Sequence, residues 1–109
     1  RRVLFRSKFL ESISEEEKIF FWLDAHYSSG DTARNHLDVP LIEECLIIDK
    51  SYKADSGIVV IDDVRLFETN VNEDWSYITQ DGVIASFNNF NIDFMEVIDD
   101  RLVLYITRK

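Results

Sequence analysis

A chain of 109 residues with 46% hydrophobic residues is long enough for one small hydrophobic core. Its formal net charge of −9 argues against nucleic acid as a partner, since phosphate is bound through Lys and Arg, and against an anionic membrane surface. A single cysteine cannot form an internal disulfide, so we expect a reducing, cytoplasmic setting.

The first seven residues, "RRVLFRS", place three arginines at the start of an otherwise acidic chain. The codons AGA CGT GTG CTC TTC CGA TCT would encode this heptapeptide, and they read like a common sequencing-adapter oligonucleotide. We therefore predict that residues 1–7 are a non-native leader, with a genuine basic arm as the alternative. The domain then covers residues 8–109, and the leader is not part of the predicted fold.

Two apolar runs flank a predicted helix. Residues 18–25, "KIFFWLDA", are too few for a typical helix and suit a parallel strand covered on both faces. A helix is predicted over 37–51, with Asp38 as its N-cap and Pro40 in its first turn. The β-branched run 57–62, "GIVVID", predicts a second buried parallel strand.

The last third of the chain predicts a short helix and a hairpin. Thr79 is placed to cap a helix over 80–89, and two strand-like runs then flank Asp99 and Asp100. Alternating β and α elements predict a parallel sheet with right-handed crossovers. The sequence therefore predicts an α/β fold with two parallel strands, crossover helices and a terminal antiparallel β-hairpin.

Three aspartates follow the two predicted parallel strands, where open α/β sheets bind their ligands. Asp24 ends the first strand, while Asp62 and Asp63 end the second, so their carboxylates converge if the strands are near neighbours. Clustered carboxylates repel one another, and Mg²⁺ relieves that repulsion because it takes oxygen ligands. The alternative is that each aspartate only caps a helix or ends a strand.

The loop after the first strand offers further candidate residues. His26 lies two residues past Asp24, and an ordinary histidine pKa of about 6.5 would let it take a proton from a metal-bound hydroxyl. A solvated histidine, or one hydrogen-bonded to Asp24, is the alternative. Tyr27, Ser28 and Thr32 could line a substrate pocket, although loops are commonly polar.

Other catalytic motifs are absent from the sequence. Cys45 falls on the apolar face of the predicted helix, where a buried hydrophobe is a better interpretation than a nucleophile. The 109 residues contain no glycine-rich phosphate loop, CxxC pair, HExxH or GxSxG. Kinase, zinc-site and α/β-hydrolase functions are therefore disfavoured.

Three stretches of the sequence resemble a known family. "FFWLDAHYSSGDT", "VPLIEECLII" and "GIVVIDDVRLF" are similar to the second half of class I S-adenosylmethionine-dependent methyltransferases, in particular the macrocin-type O-methyltransferases that act on sugars. The resemblance covers residues 8–109 and implies the C-terminal half of a Rossmann-like sheet. By this resemblance Asp24, Asp62 and Asp63 would be Mg²⁺ ligands, and His26 is the candidate base.

The resemblance also implies an activity for the parent protein. Such an enzyme transfers a methyl group from S-adenosylmethionine to a hydroxyl of a sugar or similar small molecule, while Mg²⁺ lowers the pKa of that hydroxyl. The family's glycine-rich cofactor loop and acidic ribose ligand have no counterpart in this sequence. We therefore expect an inactive fragment that does not bind the cofactor measurably. Another Mg²⁺-dependent transferase and a non-catalytic α/β domain are the alternatives.

Overall fold

A computed structural model describes residues 2–3, 19–23, 39–71 and 73–109. In this part of the chain, five strands form one mixed sheet in the order β1-β2-β3-β5-β4. The strands are β1 (Arg2–Val3), β2 (Ile19–Leu23), β3 (Ser56–Asp62), β4 (Phe90–Ile98) and β5 (Arg101–Arg108). The helices are α1 (Leu41–Ser51) and α2 (Gln80–Ala85), and a 3-10 turn covers Val64–Leu66.

The sheet combines parallel and antiparallel pairing. Strands β1, β2 and β3 run parallel, and β5 joins them antiparallel to β3. The prediction of an α/β fold whose terminal hairpin adds an antiparallel strand is therefore confirmed at this level. Strand β1 is an addition to the prediction, because Arg2 and Val3 pair with Phe20 and Phe21. Both residues belong to the segment 1–7, whose non-native origin stays a prediction.

Helix α1 follows β2 and precedes β3, and it buries one apolar face. Leu41, Cys45 and Ile48 are fully buried at the spacing of three or four residues that one helix face requires. The N-cap position is Pro40 and not the predicted Asp38. Proline suits this place because its fixed φ is compatible with a helix start, where its missing N–H costs nothing. Neither α1 nor α2 is long and apolar enough to cross a membrane.

The predicted cap and hairpin are both present. Thr79 caps α2, since its hydroxyl accepts a hydrogen bond from the Gly82 N–H at 2.9 Å, although the helix ends at Ala85 and not at residue 89. Strands β4 and β5 are joined by Asp99 and Asp100, with φ values of 50° and 63°. Positive φ at both turn positions is the favoured geometry of two-residue hairpins, and aspartate tolerates it.

The two faces of the sheet differ in what they contact. One face packs against the helices in a single core through six fully or almost fully buried side chains: Phe21, Leu23, Val59, Ile61, Leu102 and Leu104. On the other side, which we call the open face, the strand registers align four large side chains in one row: Phe20, Ile58, Tyr105 and Phe94. Tyr105 and Phe94 are 39% and 50% exposed, whereas Phe20 and Ile58 are half-buried, so exposure increases along the row toward β4.

Tyr52 ties the start of β2 to the start of β3. Its buried ring meets Phe21 edge-on with ring centroids 4.8 Å apart. Its hydroxyl accepts a hydrogen bond from the Ile19 N–H at 3.0 Å and donates one to the Ser56 carbonyl oxygen at 2.5 Å. Gly57 makes room for the ring, because a Cβ there would lie 3.0 Å from Tyr52 Cε2 and 3.1 Å from the Ile19 carbonyl oxygen.

We expect Tyr52→Phe to lower the free energy of unfolding by about 1–3 kcal/mol, because the buried Ile19 N–H loses its acceptor while the ring stays in place. Tyr105→Phe is the matched control, since that ring is partly exposed, and we expect a change below about 0.5 kcal/mol. Urea denaturation with an unchanged m-value measures both variants. Equal losses in the two would contradict the bridging role of the Tyr52 hydroxyl.

Candidate functional site

Strands β2 and β3 end side by side at one edge of the sheet. Leu23, the last residue of β2, pairs with Ile61. Asp62 is the last residue of β3, and Asp63 follows it directly. Because ligands of open α/β sheets bind beyond the carboxyl ends of parallel strands, this edge is the candidate functional site.

The structure describes two of the seven predicted site residues, Asp62 and Asp63. The other five lie outside the described residues: Asp24, His26, Tyr27, Ser28 and Thr32. Their roles as metal ligand, base and substrate contacts therefore stay predictions. The structure shows that β2 and β3, the two strands after which the predicted site residues come in sequence, are direct neighbours.

Both carboxylate oxygens of Asp62 accept hydrogen bonds from other strands. Oδ1 accepts from Arg101 Nε at 2.8 Å, and Oδ2 accepts from Trp22 Nε1. The guanidinium carbon of Arg101 also lies 4.9 Å from the centre of the Trp22 ring, which is a cation–π contact. We call these three residues the Asp62 cluster. It fastens β2, β3 and β5 together on the open face.

Asp63 turns the chain out of β3 with a left-handed φ of 66°. Its Oδ1 accepts a hydrogen bond from Arg65 Nη1 at 3.0 Å, and the same nitrogen contacts the Asp100 carboxylate. The Arg65 N–H donates to Asp100 Oδ1 at 2.8 Å, and the Val64 N–H donates to the Asp100 carbonyl oxygen at 3.1 Å. The hairpin turn is therefore docked on the segment that follows β3.

The described residues do not fit a Mg²⁺ site. Mg²⁺ needs carboxylate oxygens that are open to it, whereas Asp62 faces Arg101 and Trp22, and Asp63 faces Arg65. Within residues 2–3, 19–23, 39–71 and 73–109, no group of three or more His, Cys, Asp or Glu could hold a metal ion. In the structure Arg101 pairs with Asp62 and Arg65 pairs with Asp63, so each of these two carboxylates has a cationic partner, whereas Asp24 lies outside the described residues.

Sequence reasoning missed the arginines and the tryptophan at this edge. Arg101 lies opposite Asp62 only because β5 pairs antiparallel with β3 in one register. The available signal was that Arg101 directly follows the Asp99–Asp100 turn. Aligning the second strand of the predicted hairpin antiparallel to β3 would have placed Arg101 near Asp62. For Arg65, the only signal is its place two residues after Asp63.

A cavity of about 420 Å³ opens at the same end of β3, beside the 3-10 turn. Its lining combines two apolar and four polar side chains: Val64, Phe67, Glu68, Thr79, Gln80 and Asp81. A cavity of this size can hold a small molecule. Carboxylate, amide and hydroxyl groups would hydrogen-bond a polar ligand there, and the aromatic ring would contact its apolar surface.

Cys45 is not a candidate nucleophile. It is fully buried in α1, and this burial raises the pKa of its thiol to about 12. At neutral pH the sulfur is therefore protonated, and only the thiolate is a strong nucleophile. The prediction that Cys45 is a small buried hydrophobe is confirmed.

Comparison with known proteins supports the fold. No protein-family model matches the chain, and no curated protein matches it. A crystal structure from Sulfolobus solfataricus, assigned to the type 11 methyltransferases, is similar with a TM-score of 0.50 and 15% sequence identity. The match covers 95% of this chain and 56% of that one, so the chain spans about half the length of the structure it resembles. The predicted class I methyltransferase resemblance is thus supported at the level of the fold.

The pKa of the Asp100 carboxyl lies below its ordinary value of 3.8, chiefly because the Arg65 N–H donates a hydrogen bond to it. The Arg65 guanidinium lowers it further. A lowered pKa in the folded state means that the unfolded chain binds the proton more readily. Asp100 therefore contributes stability above about pH 4, and that contribution is lost as the pH falls through the folded-state pKa.

We expect Asp100→Asn to be less stable than the unmodified chain at neutral pH and to lose less stability on acidification. Asp99→Asn is the matched control, because it removes one carboxylate from the same turn and asparagine also tolerates positive φ. Urea denaturation midpoints between neutral pH and about pH 3 measure the effect. If both variants kept the acid sensitivity of the unmodified chain, the docking contact would not be what lowers the Asp100 pKa.

Because Asp62 and Asp63 are paired with arginines, we expect millimolar Mg²⁺ to leave the melting temperature unchanged relative to a sodium salt of equal ionic strength. Thermal unfolding followed by circular dichroism is the measurement. Asp62→Asn gives the decisive comparison. A Mg²⁺-specific rise in the unmodified chain that Asp62→Asn abolishes would restore the predicted metal role.

Proposed function

We propose that the chain forms the acceptor-binding half of an S-adenosylmethionine-dependent methyltransferase. The observation that carries this proposal is the strand arrangement, in which β5 inserts antiparallel between β3 and β4 beside the parallel pair β2–β3. The likeness to the Sulfolobus solfataricus structure supports it at the level of the fold. The cavity at the carboxyl end of β3 lies where such a sheet binds ligands.

In this proposal the cofactor is held elsewhere in the parent protein. S-adenosylmethionine, when bound, supplies an electrophilic methyl group. The chain has three glycines, Gly30, Gly57 and Gly82, and they are far apart in sequence. They form no glycine-rich loop that could approach a cofactor closely, so the residues of this chain act on the acceptor.

The cavity beside the 3-10 turn is the proposed acceptor site. Glu68 and Gln80 would hydrogen-bond hydroxyl groups, and Phe67 would contact the apolar face of a ring. This combination supports a hydroxylated small molecule such as a sugar. His26 is the proposed base for the acceptor hydroxyl. Three residues of the same loop would complete the site: Tyr27, Ser28 and Thr32.

The proposed transfer does not use Mg²⁺ bound by Asp62 and Asp63, because arginines already neutralise both carboxylates. In methyl transfer, the main task of the protein is to hold the acceptor oxygen in line with the methyl group. The Asp62 cluster and the docked hairpin turn would serve this task by fixing the sheet edge beside the cavity.

A non-catalytic α/β domain is the second candidate, and the Asp62 cluster is what favours it. Asp62 joins three strands, and Asp63 holds the arginine that docks the hairpin turn. Each aspartate thus has a sufficient structural role without any chemistry. The two candidates differ in whether the cavity residues affect turnover.

The full-length parent protein tests the proposal when it is assayed with methyl-labelled S-adenosylmethionine and a panel of monosaccharides and nucleotide sugars. We expect a labelled O-methyl product from the parent and none from this chain alone. Glu68→Gln and Gln80→Ala should each raise the acceptor KM about fivefold to tenfold and leave the cofactor KM unchanged, because the first replaces a charged hydrogen-bond acceptor by a neutral amide and the second removes a hydrogen bond.

Glu43→Gln is the matched control for these variants, since Glu43 is an exposed carboxylate on α1, outside the cavity lining. We expect it to keep the acceptor KM of the unmodified protein. A full-length parent that shows no calorimetric binding of S-adenosylmethionine would overturn the methyltransferase proposal. Micromolar cofactor binding by this chain alone would overturn a different part of the proposal, namely that the cofactor is held elsewhere in the parent protein.

A further inference from the structure

Strand β4 is the outermost strand on its side of the sheet. In the described part of the chain it pairs with β5 alone. Five exposed large hydrophobic residues lie on these two strands, each 39–52% exposed: Phe94, Met95, Val97, Ile98 and Tyr105. Apolar side chains that cluster on a surface mark interaction sites, and a sheet edge offers backbone groups for pairing with another strand.

A bulge limits how much of this edge is regular. Ile92 and Phe94 pair with consecutive residues of β5, so Asp93 is one additional residue on β4. A bulge bends its strand and interrupts the ladder, which protects that part of an edge from pairing. The regular edge is therefore the five-residue stretch from Phe94 to Ile98, which we call the β4 edge.

Charge is concentrated at the centre of the β4 edge. Its sequence, "FMEVI", has Glu96 in the middle and apolar residues on both sides. Phe94, Glu96 and Ile98 lie on the open face, while Met95 and Val97 lie on the side of the helices. Arg101 of β5 lies beside Ile98 on the open face, but its guanidinium contacts Asp62 on β3 and Trp22 on β2.

A second copy of the chain fits the β4 edge poorly. An antiparallel two-fold pairing that uses all five residues has its axis at the central residue, so it sets Glu96 directly against its own symmetry copy. Like charges directly opposite one another destabilise a strand pair. Each copy also carries a net charge of −9, which adds repulsion at longer range.

We propose that the β4 edge binds an extended segment of a partner protein that carries Lys or Arg opposite Glu96, with apolar residues on both sides of that cation. Backbone hydrogen bonds would add the segment to the sheet as a further strand. Its cation would pair with Glu96. Its apolar side chains would cover Phe94 and Ile98 on one face and Met95 and Val97 on the other.

Two blocked peptides that differ at one position test this proposal: SGVVKVVGS and SGVVEVVGS. Competition against a fluorescein-labelled form of the lysine peptide, followed by anisotropy, gives the two dissociation constants. We expect the unmodified chain to bind the lysine peptide roughly threefold to tenfold more tightly, as an opposite-charge cross-strand pair requires. The Glu96→Lys variant should reverse this preference. In hydrogen exchange, the lysine peptide should slow those amides of Phe94–Ile98 that point away from β5.

Glu43→Lys is the matched control, because it makes the same change from a negative to a positive charge at an exposed position on α1. We expect this variant to keep the lysine preference and the protection of β4. The proposal is overturned if neither peptide binds, or if Glu96→Lys keeps the preference for lysine. It is also overturned if Glu43→Lys loses that preference to the same extent, since general charge would then explain binding. Protection of the β4 amides by self-association without peptide would favour the second copy and overturn it too.

Discussion

Strand β3 holds the structure together because it forms ladders of both kinds. It pairs in parallel with β2 over five residue pairs and antiparallel with β5 over seven. The second ladder decides which side chains meet at the carboxyl end of the sheet. A slip of one residue in this register would turn Arg101 to the helix side and remove it from Asp62. The charge pairs of the candidate site therefore depend on a backbone register.

This dependence explains what the sequence could and could not predict. The strands within the runs 18–25 and 57–62, the Thr79 cap and the Asp99–Asp100 turn follow from local patterns, and the structure contains all four. The predicted cover on both faces of these strands is incomplete, because Phe20, Trp22 and Ile58 are only half-buried. The partners of Asp62 are 39 and 40 residues away in sequence, so no local pattern reveals them. From local sequence alone Asp62 has no identifiable partner, so its carboxylate is interpreted as an uncompensated charge. The Mg²⁺ hypothesis rests on that interpretation.

Much of the lining of the proposed acceptor cavity comes from segments outside regular secondary structure, but contacts with Trp75 hold these segments in place. Trp75 is almost fully buried behind it and stacks with Phe67, with ring centroids 6.0 Å apart. The Glu68 N–H donates to the Trp75 carbonyl oxygen at 3.0 Å, and the Trp75 N–H donates to the Thr69 carbonyl oxygen at 2.8 Å. A binding site needs its contact residues held by their neighbours. Trp75 therefore supports the aromatic side of the cavity through its indole ring and the acidic side through its backbone.

The close fit between Gly57 and Tyr52 restricts how this fold can evolve. Any larger residue at position 57 would collide with the phenol ring or with the backbone of the neighbouring strand. A smaller residue at position 52 would relieve the first collision, but it would also leave the Ile19 amide without its acceptor. Substitutions at positions 52 and 57 are therefore coupled. Replacement of Tyr52 during evolution would require a new hydrogen-bond acceptor for the Ile19 amide at the same time.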